Sequence, residues 1–107
     1  MFWQRAKAVE VYGTTDSFPR NEMYGLTSQL RRAAVSVPSN IAEGQGRLTK
    51  GEFAHFLGQA RGSLFELETQ FAIALDLNLV NEPDFRSLRP SEVSTLLNGL
   101  IESMRRK

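Results

Sequence analysis

The chain has 107 residues, 41% of them hydrophobic, with 13 basic and 12 acidic side chains, a net charge of +1 and no cysteine. That length suits a single domain, residues 1–107, with a core small enough that burial against a partner would help it. The absence of cysteine excludes a disulfide framework, a thiolate nucleophile and a cysteine metal site, and fits a cytoplasmic location. The near-neutral charge leaves only local clustering of basic residues to argue for nucleic acid. No apolar run approaches the roughly 20 residues that cross a bilayer, so no membrane association is expected. Charges interrupt the apolar residues of MFWQRAKAVEVYG, unlike a signal peptide.

Four helices are expected. In the first, Phe2, Ala6, Val9 and Tyr12 recur every three or four residues and give one apolar face, which stops before TTDSFPR, residues 14–20. The second is expected from about Glu22 to Gln45, with Asn21 available as N-cap. Its stripe, Leu26, Leu30, Ala33, Ala34, Val37 and Ile41, stays in phase across Pro38. Pro38 could end this helix, with Asn40 and Glu43 capping a new one, but Gly44 and Gly46 would stop that one after about two turns. The preferred reading is one long helix kinked at Pro38. The proline frees the Ala34 carbonyl, and Ser39 and Asn40 stand close enough in sequence to satisfy such groups.

The third helix has the clearest start. Thr49 at N-cap and Glu52 at N3 match a capping box, and Leu48 with Phe53 matches the accompanying hydrophobic staple. Phe53, Phe56, Leu57, Ala60, Leu64, Leu67, Phe71, Ala74 and Leu75 carry its stripe, and it is expected to reach Leu79. The fourth is expected over about Glu82 to Arg106, on Val93, Leu96, Leu97, Leu100, Ile101 and Met104, with Pro90 either kinking it or marking its true start. Asn98-Gly99 would signal a hairpin between strands, but its flanks have helical period, so it is read as helix interior. The fold class is therefore all-α, an antiparallel up-down four-helix bundle with its second helix kinked at Pro38.

Some apolar residues face the wrong way for such a bundle. At about 100° per residue, Phe65, Ile73 and Leu77 fall outside the stripe of the third helix, and Val35 and Ala42 outside that of the second. Scattered apolar surface would account for them. The sharper reading is a second packing surface, with Val35, Phe65, Ile73 and Leu77 at a homo-oligomer interface.

Chemistry is harder to find. Glu52-Phe53-Ala54-His55 matches Glu-x-x-His, but His55 is the single histidine, and a di-iron bundle needs two such motifs and two further glutamates. No serine has an evident histidine–carboxylate partner set, so no enzymatic activity is expected. The glycines of EGQGR lack both the preceding strand and the Gly-Lys-Ser/Thr ending of a phosphate loop, and no cofactor or metal is expected. Arg31, Arg32, Arg47 and Lys50 mark the polar side of the second helix and the loop after it, and Arg105-Arg106-Lys107 end the sequence. A solvated face with ion pairs would explain them; the alternative is a phosphate-contacting patch. In a hairpin closed near residues 46–49, Arg32 falls opposite Glu66 or Glu68.

Three stretches, YGLTSQLRRAAVSVPSNIAEG at 24–44, GSLFELETQ at 62–70 and LNGLIESM at 97–104, resemble the family of proteins encoded in intervening sequences of 23S ribosomal RNA. That family is similar to the accessory variability proteins of diversity-generating retroelements. The resemblance implies an up-down four-helix bundle assembled as a homopentamer, without established enzymatic activity. For the accessory variability proteins it implies association with a reverse transcriptase and with RNA or DNA through a basic surface. The motif positions it marks here are Arg31, Arg32, Pro38, Ser39, Asn40, Glu43, Gly44, Glu66, Glu68 and Gln70.

Overall fold

In a computed structural model, residues 2–80 together with Thr95, Asn98 and Gly99 are described, the side chains of residues 2–4 excepted. Helix α1 is Phe2–Thr15, α2 is Leu26–Gln45 and α3 is Lys50–Asp76, with a 3-10 turn at Arg20–Glu22 between α1 and α2. Among the described residues all regular structure is helical. The fourth helix expected over Glu82–Arg106 lies outside them, apart from Thr95, Asn98 and Gly99, which are helical as the period of their flanks requires.

The long hairpin α2–α3 frames the molecule. Two side-chain bonds fix its antiparallel register: Ser36 Oγ lies 2.7 Å from Ser63 Oγ, and Gln70 Nε2 donates to Gln29 Oε1 at 3.3 Å. Along the two helices, Leu30, Ala33, Ala34, Val37 and Ile41 pack with Leu57, Ala60, Leu64, Leu67 and Phe71, all buried. Burying one such large aliphatic side chain contributes about 1.5–3 kcal/mol before chain entropy is charged against it. At the closed end the helices approach so tightly that a Cβ on Gly44 would stand 2.8 Å from Phe53 Cδ1 and 3.0 Å from Phe56 Cβ. Gly44 is there because nothing larger fits.

α2 runs unbroken through Pro38, which is buried inside it. The continuity follows from the stripe: Val37 and Ile41 must both reach the core, and a loop at 36–40 would break that phase. Asn40 does bond locally, but its Nδ2 donates to the Ser36 carbonyl and to Ser36 Oγ, both at 2.9 Å, rather than to the Ala34 carbonyl that the proline frees. Ser39 is exposed and takes no part.

Several boundaries differ from expectation. α2 begins at Leu26 rather than Glu22, because the chain first makes a 3-10 turn at Arg20–Glu22 after Pro19 (φ −58°, ψ 149°), and Gly25 (φ −108°, ψ −110°) then leaves helical geometry just before Leu26. Asn21 therefore caps nothing; Glu22 Oε2 instead accepts from the Leu26 amide at 3.4 Å. α3 ends at Asp76, three residues before Leu79. Asn78 is left-handed, with φ 60°, Leu79 N–H reaches the Ala74 carbonyl at 2.9 Å and Asn78 N–H the Leu75 carbonyl at 3.0 Å. These bonds are a Schellman termination with asparagine in place of the usual glycine. At the start of α3 the capping box half-forms. The Glu52 amide donates to Thr49 Oγ1 at 3.1 Å, and the same hydroxyl donates to Glu52 Oε1 at 3.1 Å. The staple does not form, because Leu48 is 99% exposed.

α1 continues two residues into TTDSFPR, ending at Thr15, and its buried face is not the expected one. Ala8 packs against the core, and Val11 and Thr15 are buried, whereas Val9 and Tyr12 are exposed. The buried row Ala8, Val11, Thr15 has proper helical spacing, but its last member is polar, so an apolar count passes it over. Thr15 Oγ1 is satisfied there, donating to the Val11 carbonyl at 2.8 Å.

Candidate nucleic-acid interface

The four basic residues singled out in the sequence fall into two pairs at opposite ends of α2. Arg31 and Arg32 stand near its start, and Arg47 and Lys50 at the hairpin. The fifteen residues from Arg32 to Arg47 span about 22 Å at 1.5 Å rise, so no single patch contains all four.

Within each pair one residue is engaged and one is free. Arg31 Nε donates to Thr15 Oγ1 at 2.9 Å and Nη2 to the Tyr12 carbonyl at 3.5 Å. Its guanidinium lies 4.7 Å over the Tyr12 ring, with Asp16 Oδ1 at 3.9 Å. It ties the end of α1 to α2, with its side chain 22% exposed. Arg32 is exposed and makes no ion pair or hydrogen bond among the described residues. At the hairpin, Arg47 Nη2 pairs with Glu43 Oε2 at 3.1 Å, and its guanidinium lies 4.7 Å over the Phe56 ring. Lys50, in the first turn of α3, is exposed and unpaired among the described residues.

Glu66 and Glu68 stand across from Arg32 in register, yet no ion pair joins them. The helix contact at that level is carried by Gln29 and Gln70. Gln70 is 9% exposed, and its Oε1 has no partner among the described residues. His55 is exposed, 3.2 Å from Gln59 Nε2 through its own Nε2, and among the described residues no three His, Cys, Asp or Glu side chains gather to hold a metal. None of the described helices is long and apolar enough to cross a membrane.

Val35, Phe65, Ile73 and Leu77 are all exposed, between 42% and 55%. They do not form one surface. Phe65 and Ile73 share the outer face of α3 with Gly58, Gly62 and Thr69. Leu77 follows the end of that helix, at its C-cap. Val35 lies on the flank of α2 that carries Arg31, away from α3.

Tyr12, expected on the apolar face of the first helix, and Tyr24 both stand at the surface. With Arg31 and Arg32 they line a depression of about 380 Å³ between the end of α1 and the start of α2. Tyr24 fell inside the helix expected from Glu22, so its place in the turn ahead of α2 was not legible; nor was its juxtaposition with Tyr12, which depends on how α1 docks.

A model of the 23S rRNA-intervening sequence protein family matches residues 1–99. The chain belongs to that family. A crystal structure of a protein of unknown function from the S23 ribosomal protein family of Bacteroides thetaiotaomicron superposes with a TM-score of 0.82, at 18% identity, over 92% of this chain and 94% of that one. At that identity the likeness concerns the fold. No curated protein matches the chain.

Proposed function

We propose that this family member is a non-enzymatic homo-oligomeric helical bundle, pentameric as the resemblance implies, that binds nucleic acid or a nucleic-acid-processing partner such as a reverse transcriptase. The observation that carries the reading is the outer face of α3. Phe65 and Ile73 are 47% and 45% exposed on it, and a Cβ on Gly58 or Gly62 would meet nothing among the described residues. Glycine within a helix costs about 1 kcal/mol relative to alanine, and close approach of a second helix is a physical reason to bear that cost. Assembly repeats Arg32 and Lys50 on every subunit, and linked weak phosphate contacts gain through effective concentration.

A second reading, a protein–protein scaffold with no nucleic-acid role, is favoured by the intramolecular engagement of Arg31 and Arg47. A gel shift with labelled RNA at two salt concentrations separates the two. Salt-sensitive binding by the oligomer is expected. An oligomer that binds neither RNA nor DNA at low salt leaves the scaffold.

A further inference from the structure

We propose that the depression between α1 and α2 holds one unpaired nucleotide of a single-stranded nucleic acid, its base stacked on Tyr24 and its phosphate on Arg31 and Arg32. This rests on the nucleic-acid reading above and narrows it to one site and one class of strand.

The aromatic element comes first. Tyr24 is 97% exposed in the turn that leads into α2, so packing within the chain does not account for its ring. A solvent-facing aromatic ring beside arginine is the composition of platforms that stack unpaired bases, because every base offers a π-face.

The anionic half of a nucleotide has its own partners. Arg31 is held in place before any ligand arrives, by Thr15 Oγ1, the Tyr12 carbonyl and the Tyr12 ring. A preset guanidinium loses little freedom when it binds phosphate. Arg32, one residue on, lines the same depression with its donors uncommitted among the described residues. The first turn of α2, which supplies Thr27 to the wall, adds amides that lack intrahelical partners and the positive end of the helix dipole.

Thr27, in the same wall, is 2% exposed, and its Oγ1 has no hydrogen-bond partner among the described residues. Two carboxylates oppose an anion here. Asp16 stands 3.9 Å from Arg31 with its side chain 89% exposed, so it can swing aside. Glu22 is occupied with the Leu26 amide. A paired base cannot lie flat on Tyr24, so the site selects single strands over duplex.

The test is fluorescence anisotropy with a short labelled single-stranded RNA, its duplex form and adenosine monophosphate as competitor, over a salt series. Tyr24→Ala should weaken single-strand binding about 5- to 100-fold, and Tyr24→Phe should keep most of it, since the loss is one stacked base. Because the ring is in solvent, circular dichroism should show both variants folded. Arg32→Ala should lower the salt slope by about 0.7, and Lys50→Ala, at the far end of α2, should leave the Tyr24 effect intact. Equal binding by wild type and Tyr24→Ala, or equal affinity for duplex, overturns the site while leaving nucleic-acid binding standing. Full competition by the mononucleotide at the affinity of the strand shows a free-nucleotide site and overturns the proposal. No binding by wild type to any probe at low salt ends both this site and the reading it rests on.

Discussion

A Cβ built on Gly44 would come within 2.8 Å of Phe53 Cδ1 and 3.0 Å of Phe56 Cβ. The closed end of the α2–α3 hairpin is thus set by the absence of one methyl group. Gly44→Ala should push the helices apart there and destabilise the chain by about 1–3 kcal/mol, the usual result of overpacking. Urea denaturation checks this. An unchanged midpoint would show that the Phe53 ring yields freely and that the approach is not tight.

The Ser36–Ser63 bond should couple the two helices. Both hydroxyls are partly buried and 2.7 Å apart, so a double-mutant cycle with Ser36→Ala and Ser63→Ala should give a coupling energy of about 0.5–1.5 kcal/mol. Strict additivity would mean that the serines do not hold the register.

The end of α3 rests on Asn78 in the left-handed region, at φ 60°. Glycine adopts that conformation without a steric cost, while a side chain with a Cβ pays roughly 1 kcal/mol. Asn78→Gly should leave the melting temperature equal or higher, and Asn78→Ala should lower it. The reverse order in thermal unfolding would mean that Asn78 does not end α3 in the left-handed conformation.

What the sequence made legible, and what it hid, follow from the same residues. The register of α2 and α3 could be read because their stripes are long, apolar and unbroken, Leu30 to Ile41 against Leu57 to Phe71. Thr49 announced the start of α3 because its side chain does the capping. The phase of α1 was hidden because a buried threonine, held by Arg31 from another helix, replaces an apolar residue. The late start of α2 was hidden because Asn21 offered a plausible cap, while the cap used is the carboxylate of Glu22. In the candidate site, Arg31 and Arg32 were visible as a charged pair. Their aromatic companions Tyr12 and Tyr24 were not, since their meeting depends on the docking of α1.

The glycines of α3 distinguish self-association from a merely exposed face. Gly58→Ala and Gly62→Ala add methyl groups where nothing stands within 4 Å among the described residues. In an isolated chain each should raise helix stability by up to about 1 kcal/mol. If a second helix lies against that face, the same changes should raise the dissociation constant of the oligomer. Dilution-dependent sedimentation of the double variant separates these effects: self-association as tight as that of wild type would remove the face from the interface.

The solution mass decides whether the outer face of α3 is an interface. Light scattering of the wild-type chain at micromolar concentration should give a multiple of 12.0 kDa. The Phe65→Asp, Ile73→Asp double variant, changed at two side chains that are 47% and 45% exposed within one subunit, should fall to the monomer mass or unfold. A wild-type mass of 12.0 kDa would rule out self-association and leave the outer face of α3 as plain surface.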